Sequence, residues 1–215
     1  MLSAQVTPQE RKVPSAKYRC LSPSKVRWVA LDSYMSVRCR RCSGCMRMRQ
    51  YSWMARAAHE QAFAKSTWFT TFTFRPSERV AVHRAASSAR ELSTYSPTQR
   101  LVSAAGVYVS GYMKALRKRG FAFRYVCVPE LHRDGFPHFH GLIHDQRGDL
   151  HWDALTDSWS AGFSVVKIVR DANALRYVTK YLSKERIGRV RASLHYGSPA
   201  GVEPPRLYLE PRGRD

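Results

Sequence analysis

Two things are scarce in this sequence: long hydrophobic runs and acidic residues. No stretch approaches the roughly 18 consecutive apolar residues of a transmembrane helix, so no membrane-spanning helix is expected. The first eleven residues also lack the apolar segment of a secretory signal, and we therefore expect a cytoplasmic protein. In that reducing compartment, the five cysteines are expected to be reduced or bound to metal rather than paired in disulfides.

The scarcity of acidic residues leaves a large positive charge. The chain of 215 residues has 36 lysines and arginines against 16 aspartates and glutamates, which gives a formal net charge of +20. Such a charge attracts polyanions, and it predicts nucleic acid rather than a membrane surface as the partner. A chain of this length can bury a sizeable core, and we expect one domain with appendages.

A β-hairpin with two histidines is predicted in the middle of the chain. An Asp-Gly pair at 134–135, a strong turn signal, separates the hydrophobic runs 121–128 and 139–143. His138 and His140 are two residues apart on the second strand, so both imidazoles project from the same face. The alternative is that they are ordinary surface histidines of a hairpin.

Glu130 completes a candidate metal site on this hairpin. It lies at the end of the first strand, and pairing across the turn would bring its carboxylate level with the two histidines. Two imidazoles and one carboxylate form a three-ligand site that leaves positions open for substrate. The sequence therefore predicts a divalent cation bound by Glu130, His138 and His140.

A second candidate metal site lies in a cysteine cluster near the N-terminus. Its four members are Cys20, Cys39, Cys42 and Cys45. Four thiolates can form a tetrahedral structural zinc site. The arginines around the cluster lower thiol pKa values; they are Arg38, Arg40, Arg41, Arg47, Arg49 and Arg56. The alternatives are reduced cysteines in a basic loop, or an iron–sulfur cluster.

The order of predicted elements indicates an α+β fold. Hydrophobic periodicity and turn residues predict the following order: a helix at 45–65, a strand at 67–74, a polar connection at 77–100, a helix at 102–119, the hairpin, a short helix at 152–159, a strand at 163–169, and a helix at 171–184. This order favours an antiparallel sheet with helices packed on one side. The basic tail from residue 186 is expected to be irregular.

The last predicted helix separates two tyrosines from its packing residues. At 100° per residue, Tyr177 and Tyr181 lie within about 40° of each other, with Lys180 beside them. The residues that would pack on the core fall on a different stripe of the helix: Leu175, Val178 and Leu182. The tyrosines are therefore candidates for chemistry, and the alternative is that they are exposed or interfacial aromatics.

Together, the tyrosines and the hairpin predict phosphodiester cleavage. A phenol has a pKa near 10, so forming the phenolate at pH 7 costs about 4 kcal/mol. The ammonium group of Lys180 would offset part of this cost, and a divalent cation on the His/Glu site would stabilise the negative charge developing on phosphate. A metal site, a tyrosine nucleophile and a basic surface describe cleavage through a covalent intermediate. Two tyrosines would allow two successive transfers.

These motifs resemble the HUH endonuclease superfamily of rolling-circle replication initiators, and within it the initiators of microviruses, the small phages with circular single-stranded DNA. The resemblance covers most of residues 20–184. It rests on the cysteine run, the strand at 69–74, the His-Phe-His at 138–140, and Tyr-Val-Thr-Lys-Tyr-Leu at 177–182. The last two motifs are the more specific ones.

The resemblance implies an RRM-like antiparallel sheet that carries the histidines, with the tyrosine helix against it. On this basis residues 1–65 form a Cys-rich segment and basic helix, 66–185 the endonuclease domain, and 186–215 a basic tail. The implied activity is nicking of single-stranded DNA at an origin through a 5′-phosphotyrosine, followed by rejoining of the displaced strand.

The resemblance also implies residue roles and partners. Tyr177 and Tyr181 would alternate as nucleophiles, Lys180 would neutralise phosphate or tune a tyrosine, and the histidines would bind Mg²⁺ or Mn²⁺. The third ligand would be Glu130, with His132 of the same hairpin as the rival. The chain has no Gly-x-x-x-x-Gly-Lys-Ser/Thr segment, so unwinding is expected from a helicase of the bacterial host, and copying from its polymerase.

Two other functions fit parts of the sequence. One is a metal-dependent nuclease that uses water, in which the tyrosines only position the substrate. The other is a zinc-containing nucleic-acid-binding protein without catalysis, whose binding would depend strongly on salt.

Overall fold

The structure, a computed structural model, describes residues 19–28, 33–89, 93–170, 178 and 189–197. The strands in these ranges are β1 (Ser24–Trp28), β2 (Ser33–Val37), β3 (Ser66–Phe74), β4 (Phe123–Leu131), β5 (Pro137–Asp145), β6 (Gly162–Ile168) and β7 (Arg191–Ala192). The helices are α1 (Ser43–Phe63), α2 (Pro76–Ser88), α3 (Pro97–Lys118) and α4 (Trp152–Asp157).

The chain forms two compact units, one ending at Met48 and the other beginning at Arg49. The first contains the antiparallel pair β1–β2, and the second contains a five-stranded sheet in the order β6-β3-β5-β4-β7 in which every pair is antiparallel. This confirms the α+β class with a Cys-rich N-terminal region. None of the helices in the described ranges is long and apolar enough to cross a membrane. The three-part division at 65 and 185 stays a prediction.

The sheet is covered on both faces, whereas the sequence analysis predicted helices on one side. Strand β5 is buried along its whole length. Phe139 and Ile143 point to one face and pack in a core with residues of α2, α3 and α4. Leu142 points to the other face and packs with Ala57 of α1 and Val178. A central strand with such a continuous hydrophobic run needs cover on both sides, which is the reason for the second layer.

The polar stretch at 77–100 is more regular than predicted. It contains α2, which begins with a proline in its first turn and buries Val82 and Ala86 at a spacing of four residues. Helix α3 begins at Pro97, five residues earlier than the hydrophobic pattern indicated. A capping box explains this start, because the side chains of Ser96 and Gln99 each bond the other residue's backbone N–H.

Residues 189–197 of the basic tail are ordered against the sheet. Strand β7 pairs with β4. The buried hydroxyl of Tyr196 lies 2.7 Å from Nε2 of His144, whose Nδ1 lies 3.0 Å from the hydroxyl of Thr67. The backbone N–H of Gly197 donates to the carboxylate of Glu60 at 2.6 Å. Because the predicted irregular tail supplies a strand and a buried tyrosine, this part of it belongs to the core.

Gly106 of α3 makes room for a buried arginine from β7. A Cβ atom at Gly106 would lie 1.8 Å from the guanidinium carbon of Arg191, which donates to the carbonyl oxygen of Ser103 at 3.1 Å. Gly106→Ala is therefore expected to lower the free energy of unfolding by about 1–3 kcal/mol, because an overpacked core must displace this side chain. Denaturant unfolding with an unchanged m value measures the loss.

Gly111 of the same helix provides the matched control. A Cβ atom there meets nothing within 4 Å, so Gly111→Ala is expected to add up to about 1 kcal/mol through helix propensity. Equal stabilisation by both substitutions would contradict the account of Gly106.

Candidate functional site

The predicted hairpin is present, and its register brings Glu130 opposite His138. Strands β4 and β5 pair antiparallel, with Glu130 beside His138 and Val128 beside His140. Gly135 adopts a positive φ of 80° in the turn, and the side chain of Asp134 accepts a hydrogen bond from the backbone of Phe136 at 2.9 Å. The Asp-Gly turn therefore sets a register that levels the carboxylate with the histidines, as predicted.

Three side-chain atoms of this hairpin converge on one point. The Nε2 atoms of His138 and His140 are 3.0 Å apart. The Oε2 atom of Glu130 lies 3.2 Å from the first and 2.9 Å from the second. Both histidines are buried, while Glu130 is partly exposed. The structure thus brings together the three residues that the sequence analysis assigned to a metal.

The spacing of these atoms fits a divalent cation. Around an octahedral ion with metal–ligand bonds of about 2.1 Å, neighbouring ligand atoms are about 3.0 Å apart. Two imidazoles and one carboxylate on a single face of such an octahedron leave the opposite positions for substrate oxygens. Glu130, His138 and His140 are therefore suited to hold Mg²⁺ or Mn²⁺. His132, the rival third ligand, instead stacks on the ring of His138 with a centroid distance of 4.0 Å.

His140 is oriented by two residues of β3. Its Nδ1 lies 3.1 Å from the hydroxyl of Thr71, which sits directly opposite on the neighbouring strand. With Nδ1–H donating to this hydroxyl, Nε2 keeps its lone pair facing Glu130 and His138. The ring of Phe69 stacks on His140 at a centroid distance of 5.9 Å. Such outer partners fix the tautomer and direction of metal-binding histidines.

Burial keeps His138 neutral. Removal from solvent, with a further contribution from the neighbouring His140, lowers the pKa of His138 to about 4. At neutral pH the ring is therefore uncharged, which is the form in which imidazole binds a metal. Its Nδ1 atom is buried and has no hydrogen-bond partner among the described residues. Stacking against His132 is the contact that holds this ring in place.

The histidine face of the sheet also holds Val178. This residue is helical and fully buried, and it packs with Val126, Leu142 and Val169. Leu142 follows His140 by two residues on β5, so its side chain points to the same face. The prediction that Val178 packs on the core is confirmed. Tyr177, Lys180 and Tyr181 lie outside the described residues.

The four N-terminal cysteines form a second cluster. The sulfur atoms of Cys20, Cys39, Cys42 and Cys45 all lie within 4.8 Å of one another, and those of Cys39 and Cys45 are 3.8 Å apart. Around a tetrahedral ion with metal–sulfur bonds of about 2.3 Å, sulfur atoms are about 3.8 Å apart. The cluster is therefore compatible with a bound metal ion.

Backbone amides point at these sulfur atoms. The N–H of Leu21 donates to the sulfur of Cys42 at 3.3 Å, and the N–H of Cys42 donates to that of Cys39 at 3.4 Å. The hydrogen bond from Leu21 is the main reason why the pKa of Cys42 falls to about 6. Burial raises the pKa of Cys45 to about 11. The set thus mixes a sulfur already stabilised as thiolate with one that an ion would have to hold in that form.

Thr71 is the residue near the site that sequence reasoning missed. It belongs to the run Thr-Trp-Phe-Thr-Thr-Phe-Thr-Phe, in which threonine and phenylalanine alternate after residue 70. This alternation indicates that Thr71 and Thr73 share a face, but their neighbour on that face depends on which strand pairs with β3. The pairing of β3 with β5 is a long-range contact that brings Thr71 to His140.

Comparison with known proteins supports one family. No curated protein and no solved structure matches this chain. The family model for the replication-associated protein ORF2 (gene 2 protein) matches residues 67–186, more than half of the 215-residue chain. The matched segment contains the hairpin of Glu130, His138 and His140. The chain therefore belongs to this family of replication-associated proteins.

Proposed function

We propose that this protein is a replication initiator of the HUH type that nicks single-stranded DNA at an origin and later rejoins the strand, as the initiators of microviruses do. One observation carries the proposal: the ligand atoms of Glu130, His138 and His140 converge within 3.2 Å on a sheet face that also anchors Val178. In the sequence, Val178 lies between Tyr177 and Tyr181, the two candidate nucleophiles. Membership of a replication-associated family and the net charge of +20 agree with a DNA substrate.

In the proposed reaction the protein residues bind, orient and exchange a proton. The phenol oxygen of a tyrosine bonds to the phosphorus, the bond between phosphorus and the 3′ oxygen breaks, and the phenol proton goes to the departing 3′-hydroxyl. Glu130 and the two histidines hold Mg²⁺ or Mn²⁺, which when bound supplies Lewis-acid stabilisation of the phosphate charge. Lys180 neutralises phosphate or favours the ionised tyrosine.

Two tyrosines allow the strand to be rejoined. After the first leaves its 5′-phosphotyrosine, the second can attack the next origin junction, and the freed 3′-hydroxyl then displaces the first tyrosine to close a circle. The released 3′-hydroxyl in the meantime primes copying. Because the sequence has no phosphate-binding loop of a helicase, we assign unwinding and synthesis to a helicase and polymerase of the host bacterium, in whose cytoplasm the protein would act.

For the cysteine cluster we propose structural zinc. The 3.8 Å separation of Cys39 and Cys45 and the clustering of all four sulfur atoms within 4.8 Å match ligands of one tetrahedral ion. In an iron–sulfur cluster the thiolates bind different irons and stand further apart. The amides that donate to Cys39 and Cys42 lower the cost of ionising these thiols.

The test is the formation of a covalent protein–DNA adduct. The purified protein is incubated with Mn²⁺ and circular single-stranded DNA of its own replicon, and the products are separated by denaturing electrophoresis. Wild type is expected to give a shifted protein–oligonucleotide band. The Tyr177→Phe/Tyr181→Phe double variant is expected to give none, because no phenol oxygen remains to bond the phosphorus. Tyr95→Phe is the control, since Tyr95 is exposed and not in a site motif.

The outcomes separate the rival functions. If the double variant still cuts the DNA and no adduct forms with any protein, the enzyme is a hydrolase that uses water. If wild type binds DNA but cuts none of the origin-containing substrates, the proposed nicking activity is wrong and a non-catalytic binding protein remains.

A further inference from the structure

A strip of exposed side chains on β6 lies beside the metal ligands. Across the sheet, Val165 pairs with Thr71, which pairs with His140, so these three side chains form one row on one face. Phe163 is two residues before Val165 on β6 and therefore points to the same face. Phe163 is 71% exposed and Val165 is 49% exposed. We call Phe163 and Val165 the β6 strip.

We infer that the β6 strip is a stacking platform for a base of the single-stranded DNA substrate, with Phe163 as its principal contact. The inference rests on the proposed function, because it gives the DNA a path to the metal ligands. It assigns a specificity-determining role to a residue outside every motif that the sequence analysis used.

The distance between strip and metal ligands suits a nucleic acid chain. Strands of a sheet are about 4.8 Å apart, so β6 lies about 10 Å from β5, two strands away. This is the length of a few nucleotides of one strand. A phosphate bound near His138 and His140 would therefore bring a base of the same or a neighbouring nucleotide over Phe163.

The side chains around the strip match a nucleotide in chemistry. The hydroxyl of Thr73, which pairs with Phe163, is engaged with the carbonyl oxygen of Phe163 at 3.0 Å, so it leaves the aromatic ring uncovered. Lys167 is exposed two residues beyond Val165 on the same face, and it is placed to meet phosphate. One aromatic ring, one aliphatic residue and one cation are the elements with which proteins bind single strands. A protein partner, by contrast, typically buries about 800 Å² on each side.

The first test measures binding without cleavage. A short fluorescein-labelled oligothymidylate is titrated in the presence of EDTA, and its anisotropy gives the Kd. Phe163→Ala is expected to raise the Kd by about 5-fold to 100-fold, the loss associated with one base–aromatic stack. Phe163→Trp is expected to bind as wild type does. Phe163→Leu is expected to behave like Phe163→Ala, because leucine keeps apolar area but has no π face.

An abasic probe separates bases from backbone. On a probe of the same length that carries only sugar and phosphate, wild type and Phe163→Ala are expected to bind equally. The dependence of binding on salt is expected to be unchanged in Phe163→Ala, whereas Lys167→Ala should reduce the slope of log K against log salt by about 0.7, the value for one phosphate contact on a single strand.

Phe63 provides the matched control. It is 72% exposed, similar to Phe163, but it ends α1 and precedes the end of β3 that is remote from Thr71. Phe63→Ala is expected to leave both probes unaffected. The platform is wrong if Phe163→Ala binds oligothymidylate as tightly as wild type, or if it loses affinity equally for both probes.

The two proposals fail in different ways. An unchanged Kd for Phe163→Ala, together with a wild-type adduct in Mn²⁺, removes the platform and keeps the nickase. A selective loss of base binding in Phe163→Ala, with no wild-type adduct on any origin substrate, keeps the platform on a protein that binds single strands without cutting them.

Discussion

Replacing His140 with alanine is expected to lower the rate of DNA nicking by about a thousandfold or more. Stabilisation of transition-state charge by a bound cation is worth several kcal/mol, and each 1.36 kcal/mol changes the rate tenfold. His140 is the ligand to remove because its Nε2 atom lies within 3.0 Å of both other ligand atoms. The rate is measured under single-turnover conditions with saturating Mn²⁺, and Mn²⁺ affinity is measured separately by calorimetry.

Thr71 makes this prediction quantitative. Thr71→Val keeps the shape of the side chain but removes the hydroxyl that lies 3.1 Å from Nδ1 of His140. Loss of such an outer partner typically costs 10-fold to 100-fold in metal affinity or activity. We therefore expect Thr71→Val to need more Mn²⁺ for half-maximal nicking and to approach the wild-type rate at high Mn²⁺. His140→Ala should not recover in this way.

His151 is the control for the loss of a histidine. It is exposed at the start of α4, and His151→Ala is expected to keep both Mn²⁺ binding and nicking. Undiminished nicking by His140→Ala would rule out a catalytic metal site at this hairpin. If the covalent adduct also still formed in that variant, tyrosine chemistry would remain without the proposed cation.

The second large effect concerns the cysteine cluster. Cys42→Ser is expected to reduce the zinc content of the purified protein from about one ion per chain to none, because a structural site needs all four ligands. Apparent binding free energies of structural zinc are about 10–16 kcal/mol, so its loss should also unfold the unit that ends at Met48. Metal content is measured by mass spectrometry, and limited proteolysis reports whether cleavage before Met48 becomes faster.

Cys127 is the control for the loss of a thiol. It is fully buried in the core of the sheet, away from the cluster, where burial raises its pKa to about 12. Cys127→Ala is expected to keep its zinc. A wild-type protein with visible iron–sulfur absorbance would replace zinc by the cluster alternative, and a metal-free wild type that resists proteolysis would favour plain reduced cysteines.

The sequence by itself determined most of what is local. Glu130, His138 and His140 could be grouped because an Asp-Gly turn and a period of two define both the register and the face of a hairpin. The four cysteines could be grouped because three of them recur every third residue, which keeps them close in any fold. The helices α1 and α3 followed from composition and periodicity, since helical contacts are made within a few residues.

The tertiary structure decided what depends on contacts between distant segments. Thr71 orients His140 because β3 pairs with β5 across 69 residues of sequence. The tail residues 189–197 join the core because β7 finds the edge of β4 and Tyr196 reaches His144. The exposed Phe163 lies beside the metal ligands only through the strand order β6-β3-β5. Periodicity states which side chains share a face of one strand, but only the pairing of strands states which faces meet, and this is why the ligands could be read from the sequence while their surroundings could not.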